Sequence, residues 1–235
     1  MTDFFRFPHT PHLAWLGEGQ PRDDKVLPPS DAREFLQHEV VVEEKVDGAN
    51  VGLSLDERGE LRLQNRGSYL SQGHCHPQFK PLFRWLGPRR QRLVEALAPG
   101  LTLFGEWCYA VHSVRYARLP DWFLAFDVYD PARGEFWSAP RRDALAARAG
   151  LALVPALGAG RFELTGLRVL MEQSRLTHGP AEGVYMRRDE GDRLAARAKL
   201  VRPDFTQAID EHWSRRALQP NALAGLEPGG AQPWP

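Results

Sequence analysis

Alternating apolar and polar residues predict several short strands and two β-hairpins. Residues 51–55 and 60–65 alternate in this way on either side of the turn-forming residues 56–59, a pattern typical of a hairpin. The run VVVEEK, which ends at Lys45, predicts a strand. A second hairpin is expected where EGVYMRR and RLAARAKLV flank a turn at 189–192.

Helical segments lie irregularly between these strands. They are predicted over 31–38, as two short helices within 77–98, over 141–149 and over 166–177. Ser30 or Asp31 is the expected N-cap of the first, with Glu34 completing a capping box. Apolar runs predict two further, buried strands, over 101–107 and 122–129. Because hairpins dominate, the pattern predicts an α+β fold of antiparallel sheets flanked by helices.

The two ends of the chain carry no regular pattern. Residues 1–29 are rich in Pro and His and predict an irregular arm. Residues 217–235 contain four Pro, three Gly and one charged residue, which is typical of a tail rather than of a second domain. The sequence therefore predicts one domain over 1–216.

Composition excludes some broad classes of protein. Thirty basic residues balance thirty acidic ones, so any binding to nucleic acid must depend on a local basic patch. With two cysteines, no signal peptide and no apolar run of about 18 residues, we expect a reduced, cytoplasmic protein without a membrane span. The basic residues are 26 Arg and only 4 Lys, so each retained lysine is a candidate for a role that arginine cannot fill.

The motif KVDGAN, Lys45 to Asn50, follows the first predicted strand. A strand that ends in lysine and continues as Asp-Gly exposes an amine at the edge of a sheet, and Gly48 allows a close turn. Arginine could not replace Lys45 as a nucleophile because its guanidinium stays protonated. Taken alone, such a motif is usually a surface turn.

Four further motifs follow in order: FGEW, AFDVYD, EGVYMR and RAKLVR. Together with KVDGAN they resemble the covalent nucleotidyltransferase superfamily, which comprises ATP-dependent DNA and RNA ligases and mRNA capping enzymes. The resemblance extends over residues 40–205 and implies the nucleotidyltransferase fold of these enzymes.

The resemblance implies that Lys45 attacks the α-phosphorus of ATP and becomes a lysyl-AMP. It assigns catalytic roles to four residues: Lys45, Glu106, Glu182 and Lys199. Asp47 would join Glu106 and Glu182 in holding a hydrated Mg²⁺ or Mn²⁺. Alternatively, Glu106 contacts only the ribose hydroxyls.

A second set of residues is implied to bind the nucleotide: Glu44, Asn50, Arg66, Phe126, Val184 and Arg197. Phe126 would stack on the purine, although its apolar strand also fits an ordinary core residue. Glu44 would read the adenine edge, or else face solvent. Arg197 and Lys199 lie two residues apart and share a strand face toward the phosphates, but related families often have lysine at both places.

Asn50 distinguishes the branches of the superfamily. KxDG followed by any residue and then Asn resembles the RNA ligase 2 and RNA-editing ligase type, whereas DNA ligases and capping enzymes usually have Arg there. The 36 residues after Lys199 are too few for a C-terminal OB-fold. We therefore expect a minimal RNA ligase acting on nicked or paired RNA ends, with a possible protein partner supplying the missing domain. A DNA-nick ligase, another adenylyltransferase or a non-catalytic nucleotide-binding module remain the alternatives.

Two motifs lie outside this resemblance. His74-Cys75-His76 resembles a pair of metal ligands but has no second cluster, so a loop is expected. Residues 109–116, YAVHSVRY, could lie along a nucleic-acid strand or form a packed connection.

Overall fold

The computed structural model describes residues 4–18, 26–207 and 218–225. Within these ranges its α-helices are α1 (Pro29–Leu36), α2 (Lys80–Leu86), α3 (Arg90–Ala96), α4 (Ala139–Ala149), α5 (Leu164–Leu170) and α6 (Pro203–Gln207). The strands are β1 (Val40–Lys45), β2 (Ala49–Leu55), β3 (Leu61–Asn65), β4 (Thr102–Trp107), β5 (Phe123–Asp130), β6 (Glu135–Phe136), β7 (Ala152–Leu153), β8 (Ala156–Gly160), β9 (Gly183–Glu190) and β10 (Arg193–Val201).

The strands form two sheets. One has the order β10-β9-β1-β8, and the other has the order β3-β2-β4-β5-β6 with β7 also paired to β5. Pairing within these sheets is antiparallel except between β5 and β7. Both predicted hairpins, β2–β3 and β9–β10, are present, and the predicted α+β class is confirmed.

Residues 46–48 cross directly from the first sheet to the second, because β1 ends at Lys45 and β2 begins at Ala49. Each sheet buries one face in its own apolar core. The larger core surrounds the second sheet and contains three fully buried tryptophans, Trp85, Trp107 and Trp122. Burial of a large apolar side chain contributes about 1.5–3 kcal/mol, so these rings fix the second sheet firmly. The KVDG motif therefore lies where two separately packed sheets meet.

Buried charges also join the two sheets. Arg187 on β9 is fully buried and forms an ion pair with Asp127 on β5. Its Nη1 donates to the backbone oxygen of Phe126 at 3.0 Å, and Arg142 on α4 donates to the same oxygen at 2.8 Å. Arg142 also contacts buried Glu43 on β1 at 2.6 Å. The network thus connects β1 and β9 of the first sheet with β5 of the second, and Arg142 of α4 contacts both sheets.

Several local expectations are corrected. The first helix has Pro28 as its N-cap without a side-chain cap, and Ser30 donates its hydroxyl to Asp31 instead. Helix α5 ends at Leu170 rather than near 177, and β8 is a strand that the sequence pattern did not predict. The helix predicted over 141–149 is present as α4, and Gly150, with φ of 67°, ends it in the left-handed conformation.

Both chain ends contain packed segments. Near the N-terminus, Phe5 stacks on Tyr129 with ring centroids 3.5 Å apart. The backbone of Lys199 exchanges hydrogen bonds with Pro11 and Leu13 at 2.9 and 2.7 Å. Residues 218–225, interpreted from composition as part of a tail, dock against the loop after β4, so a free tail does not describe them. In the part of the chain described here, no helix is both long and apolar enough to span a bilayer.

Candidate active site

A cavity of about 1060 Å³ lies where the two sheets meet. It is bordered by the end of β1, the crossing at 46–48, β4, β5, β10 and the N-terminal arm. Its lining includes most of the residues that the motifs single out: Glu44, Lys45, Asp47, Asn50, Arg66, Glu106, Phe126 and Lys199. The sequence motifs, spread over 150 residues of chain, thus converge on one site.

Lys45 is held at this cavity by an ion pair. Its Nζ lies 2.5 Å from Oε1 of Glu182, and the side chains are 27% and 5% exposed. The pairing of Lys45 with Gly183 across β1 and β9 brings Glu182 beside it. Burial by itself lowers the pKa of Lys45, but Glu182, with Glu106 and Asp47, raises it above the ordinary lysine value. Unliganded Lys45 is therefore a protonated amine and not yet a nucleophile.

Two glutamates near Lys45 have raised pKa values. Burial raises the pKa of Glu106 to about 8 and that of Glu182 to about 7, while Lys45 opposes both shifts. Glu106 lies opposite Asn50 in the β2–β4 pair, and its Oε1 accepts a hydrogen bond from the Gly48 amide at 3.1 Å. Oε2 of Glu182 and Oδ1 of Asn50 are buried without a hydrogen-bond partner. Two buried oxygen atoms of the site can therefore still accept a hydrogen bond from a ligand.

Gly48 is fixed by its surroundings. A Cβ at this position would lie 2.7 Å from the backbone oxygen of Trp107 and 3.0 Å from Cγ of Glu106. Only glycine lets the crossing strand approach β4 this closely. The KVDG glycine therefore sets the distance between Lys45 and Glu106.

Asp47 is oriented by the loop after β4. Its Oδ2 accepts hydrogen bonds from the amides of Ser113 and Val114 at 2.6 and 3.0 Å. Its own amide donates to the hydroxyl of Tyr116 at 2.7 Å. Nδ1 of His112 lies 4.0 Å from Oδ1, and burial lowers the pKa of His112, so the imidazole is neutral near pH 7. Segment 109–116 is therefore a packed connection that supports the site, not an exposed strip.

The aromatic rings of the lining belong to Phe7, Phe79, Phe126 and Tyr185. Phe126 packs edge-on against Phe7 of the N-terminal arm, with ring centroids 5.2 Å apart. The expectation for Val184 is wrong. Val184 is fully buried in the core of the first sheet, and its neighbour Tyr185 lies on the cavity side. Successive side chains of a strand point to opposite faces of the sheet. Tyr185 pairs with Glu43 and Lys199, which also line the cavity, so its side chain lies on the cavity face and that of Val184 on the other.

Lys199 and Arg197 occupy one face of β10, but only Lys199 borders the cavity. Arg197 Nη1 contacts Asp127 at 3.2 Å, and its guanidinium lies over the rings of Phe7 and Phe136 at 4.7 and 4.4 Å. These contacts assign Arg197 to the polar network behind the cavity. A direct phosphate contact by Arg197, as expected from the motif, is not what the structure presents.

Glu44 also differs from expectation. Its carboxylate accepts hydrogen bonds from Ser174 Oγ at 2.5 Å and from the Arg175 amide at 2.8 Å, and it is 1% exposed. Both oxygens thus accept hydrogen bonds from the protein, so the solvent-facing alternative is wrong, while contact with the adenine edge stays a prediction. Arg66 does reach the cavity, where its Nη2 lies 3.2 Å from Nδ1 of His9.

The structure adds Gln78 to the site, and it places there two histidines, His76 and His112, to which the sequence assigned no role in the site. Gln78 and His112 share a hydrogen bond of 2.9 Å beside Asp47, and both line the cavity together with His76. His76 begins a short 3₁₀ helix, Pro77–Phe79, so the His-Cys-His run is a loop leading into it. Across the residues that the structure describes, no three His, Cys, Asp or Glu side chains are grouped to ligate a metal directly. Gln78 lies in that 3₁₀ helix and His112 in the loop after β4, so strand periodicity could not have found them.

Comparison with known proteins agrees with this architecture. A sequence profile of the RNA ligase family matches residues 38–201. Naegleria gruberi RNA ligase with PPi has a TM-score of 0.55 at 18% identity, and the alignment covers 73% of this chain and 52% of that one. A point mutant of the same ligase with AMP and Mn gives 0.58 at 15% identity, with 86% and 63% covered.

A further mutant of that ligase, with ATP and Mn, gives a TM-score of 0.57 at 15% identity, covering 85% of this chain and 63% of that chain. The chain thus spans between 52% and 63% of the length of these solved structures. No curated protein matches the sequence. At these identities the structures show a shared nucleotidyltransferase-type fold, while the profile covers more than half of the sequence; on that basis the chain belongs to the RNA ligase family.

Proposed function

We propose that this protein is an ATP-dependent RNA ligase that joins 5′-phosphate and 3′-hydroxyl ends through a lysyl-AMP intermediate. The observation that carries the proposal is the position of Lys45, whose amine faces a large cavity beside Glu182, Glu106 and Lys199. A nucleophilic lysine needs a site that can change its protonation, and this amine is surrounded by groups that control it.

The first step is transfer of AMP to Lys45. The unprotonated Nζ attacks the α-phosphorus of ATP, a P–N bond forms, the bond between the α-phosphorus and its bridging oxygen breaks, and pyrophosphate leaves. Lys45 must lose its proton beforehand, and Glu182, 2.5 Å away, is the group positioned to accept it. Lys199 would balance the negative charge of the phosphates in this step.

The following steps join the two RNA ends. The terminal 5′-phosphate oxygen attacks the phosphorus of lysyl-AMP, which breaks the P–N bond and returns the amine to Lys45. The 3′-hydroxyl oxygen of the other end then attacks the activated 5′-phosphorus and releases AMP. Both transfers are displacements at phosphorus, so one cavity can serve all three steps if the ends are held in line.

The nucleotide would bind against the aromatic lining. Phe126 offers a ring on which a purine can stack, and Tyr185 lies in the same cavity. Asn50, whose Oδ1 is buried without a partner, can accept a hydrogen bond from a ribose hydroxyl. Arg66 at the other side of the cavity suits a phosphate. Because any purine stacks, the preference for ATP over GTP would come from hydrogen bonds at the base edge.

The acidic residues fit a divalent cation. Oε2 of Glu182 is buried with no partner, and carboxylate oxygens suit Mg²⁺ or Mn²⁺. Asp47, Glu106 and Glu182 would hold such an ion through its water shell, since these side chains are not grouped for direct ligation. The bound ion would neutralise charge on the α-phosphate. It would also offset the carboxylates that keep Lys45 protonated.

The nucleic-acid substrate is proposed to be a nick or a pair of annealed RNA ends. The chain has no net charge, so attraction to RNA would depend on side chains at the cavity such as Arg66. A complementary strand would supply the alignment that a small protein surface cannot. A protein partner would supply further contacts with the duplex.

The experiment is to incubate the protein with α-labelled ATP and Mg²⁺ and to separate the products on a denaturing gel. Label should remain on the protein, and both Lys45→Ala and Lys45→Arg should remove it, whereas Lys80→Arg, at an exposed lysine, should label normally. Label that persists in Lys45→Arg would refute the assignment. Stronger labelling from GTP would favour an activity of the capping-enzyme type.

A further inference from the structure

The C-terminal segment, defined as residues 218–225, lies outside the region that the family profile matches, yet it packs against the active-site loop 109–116. Val111 donates its amide to Gln219 at 2.8 Å, and Ala222 donates to Tyr116 at 2.9 Å. Leu119 and Ala224 continue the same pattern further along. The segment is thus joined to the loop by backbone hydrogen bonds along most of its length.

Asn221 is the centre of this contact. Its side chain is 2% exposed, and Oδ1 accepts from the Tyr116 amide at 2.7 Å. Nδ2 donates to the backbone oxygens of Cys108 and Ala110 at 2.8 and 3.2 Å. A carboxamide supplies one acceptor and two donors together, which neither a carboxylate nor an alkyl group can do. The residue type is therefore matched to the three backbone groups that it contacts.

The loop that Asn221 holds is the one that orients Asp47. Ser113 and Val114 donate their amides to Oδ2 of Asp47, and the Tyr116 hydroxyl accepts from the Asp47 amide. Asn221 binds the backbone of Tyr116 directly and the residues that begin the loop. One chain of hydrogen bonds therefore runs from Asn221 through the loop to the carboxylate at the cavity.

We propose that Asn221 is a positioning residue for the divalent-cation site, and that the C-terminal segment is a working part of the active site. The inference rests on the proposed function, in which Asp47 contributes to holding the cation. Without Asn221 the loop would lose three buried hydrogen bonds at its two ends, and the Asp47 carboxylate would lose its fixed orientation. Outer partners of metal-site residues commonly change metal affinity by about 10- to 100-fold.

The test uses the full chain as wild type and as Asn221→Asp, Asn221→Ala and Gln219→Ala. Gln219→Ala is the matched control, because its exposed side chain contacts Arg115 and does not reach Asp47. We would measure Mn²⁺ affinity by paramagnetic resonance with a non-hydrolysable ATP analogue present. Amide hydrogen exchange of peptides covering 109–116 would report the loop directly, without catalysis.

Both Asn221 variants should bind Mn²⁺ about 10-fold or more weaker than wild type, with faster exchange in 109–116, while Gln219→Ala stays unchanged. Affinity for the analogue without metal should be unaffected. In an Asp47→Ala background, Asn221→Asp should weaken Mn²⁺ binding no further, because Asn221 acts on the cation only through Asp47. Equal Mn²⁺ affinity in folded Asn221→Asp, or additive effects with Asp47→Ala, would overturn the inference.

Tyr116→Phe keeps the test decisive if the Asn221 variants do not fold. It removes only the hydroxyl that accepts from the Asp47 amide, and it should weaken Mn²⁺ binding in the same direction. Unchanged Mn²⁺ affinity in Tyr116→Phe would count against the chain of hydrogen bonds that runs from Asn221 to Asp47. Failure of wild type to label Lys45 would refute the proposed ligase activity, whereas normal labelling with unchanged metal affinity in the variants would refute only the role of Asn221.

Discussion

Lys45 Nζ and Glu182 Oε1 lie 2.5 Å apart, and this contact joins the end of β1 to the start of β9. The nearby carboxylates outweigh the effect of burial and raise the pKa of Lys45. Burial raises the pKa of Glu182 to about 7, so its carboxylate can take up a proton near neutral pH. In the proposed mechanism, this pair keeps the Lys45 amine protonated and unreactive until other charges enter the cavity.

Glu182→Gln should make Lys45 easier to deprotonate. A carboxamide keeps the shape of the side chain but removes a negative charge next to the ammonium, so the raised pKa of Lys45 should fall. The proton-loss curve of Lys45 should then move to lower pH, even though lysine adenylylation itself becomes slower. Acylation of each lysine as a function of pH, followed by mass spectrometry without ATP, measures this curve.

Exposed Lys80 serves as the internal control in that experiment, because its curve should be the same in both proteins. With only four lysines in the chain, each can be followed separately. A Lys45 curve that stays in place or moves to higher pH in Glu182→Gln would show that Glu182 does not control the amine.

Gly48→Ala should inactivate the site because the added methyl group would push residues 46–48 away from β4. The added Cβ would lie 2.7 Å from the Trp107 backbone oxygen, which cannot move aside as a flexible side chain could, and 3.0 Å from Cγ of Glu106. We expect loss of Lys45 labelling and a loss of stability of about 1–3 kcal/mol, typical of overpacking. Labelling and urea unfolding would be compared with Gly73→Ala, where a Cβ meets nothing within 4 Å. Normal labelling in Gly48→Ala would refute the spacing role of Gly48.

The fold was predictable where local pattern and burial agree. The hairpins β2–β3 and β9–β10 follow directly from alternation on either side of a turn. Strand β8 was not predictable, because its sequence ALGAG contains no β-branched or aromatic residue and its pairing with β1 supplies the structure. Helix α5 stops early because Ser174 and Arg175 turn to bind Glu44, a contact between residues 130 apart.

The site was predictable only in part. Motif matching singled out Lys45, and the cavity brings it together with Asp47 and Glu106, while Glu182 forms an ion pair with it. It misplaced Val184, because a one-residue shift along a strand moves a side chain to the other face. It also could not find the partner of Arg197, since the buried Asp127 that pairs with this arginine lies on a strand of the other sheet.

Arg187→Met should destabilise the protein without any direct contact to the nucleotide. Asp127 is fully buried and would keep only its second arginine partner, Arg197 at 3.2 Å, so we expect a loss of about 3 kcal/mol, the lower end of what breaking a buried ion pair costs. Arg188→Ala is the matched neighbour: its ion pair with Glu190 is partly exposed and should contribute about 1 kcal/mol or less. Urea unfolding of both variants measures the difference, and equal stability of the two would show that the network does not join the sheets.

The last prediction concerns which ends are joined. RNA on the 3′-hydroxyl side of a nick should be sealed faster than DNA, because A-form shape and the 2′-hydroxyl distinguish the two. Sealing should fall steeply as salt rises, since each phosphate contact releases counterions and the chain has no net charge to compensate. Arg66 borders the cavity and can contact RNA phosphates, so Arg66→Ala should slow sealing and reduce its dependence on salt. Arg187 is fully buried and does not contribute to the attraction between the protein and RNA.

Pre-adenylylated protein tested on four matched nicks, with RNA or DNA on either side, at two salt concentrations separates the outcomes. Omitting free ATP confines the measurement to the two steps after lysine adenylylation, so differences in nucleotide binding cannot produce the ranking. Equal or faster sealing of the all-DNA nick would overturn the preference for RNA and favour a DNA-nick ligase on the same fold. If the AMP label stays on Lys45 with all four nicks, then the 5′-phosphate needs contacts from a partner, or another molecule accepts the AMP.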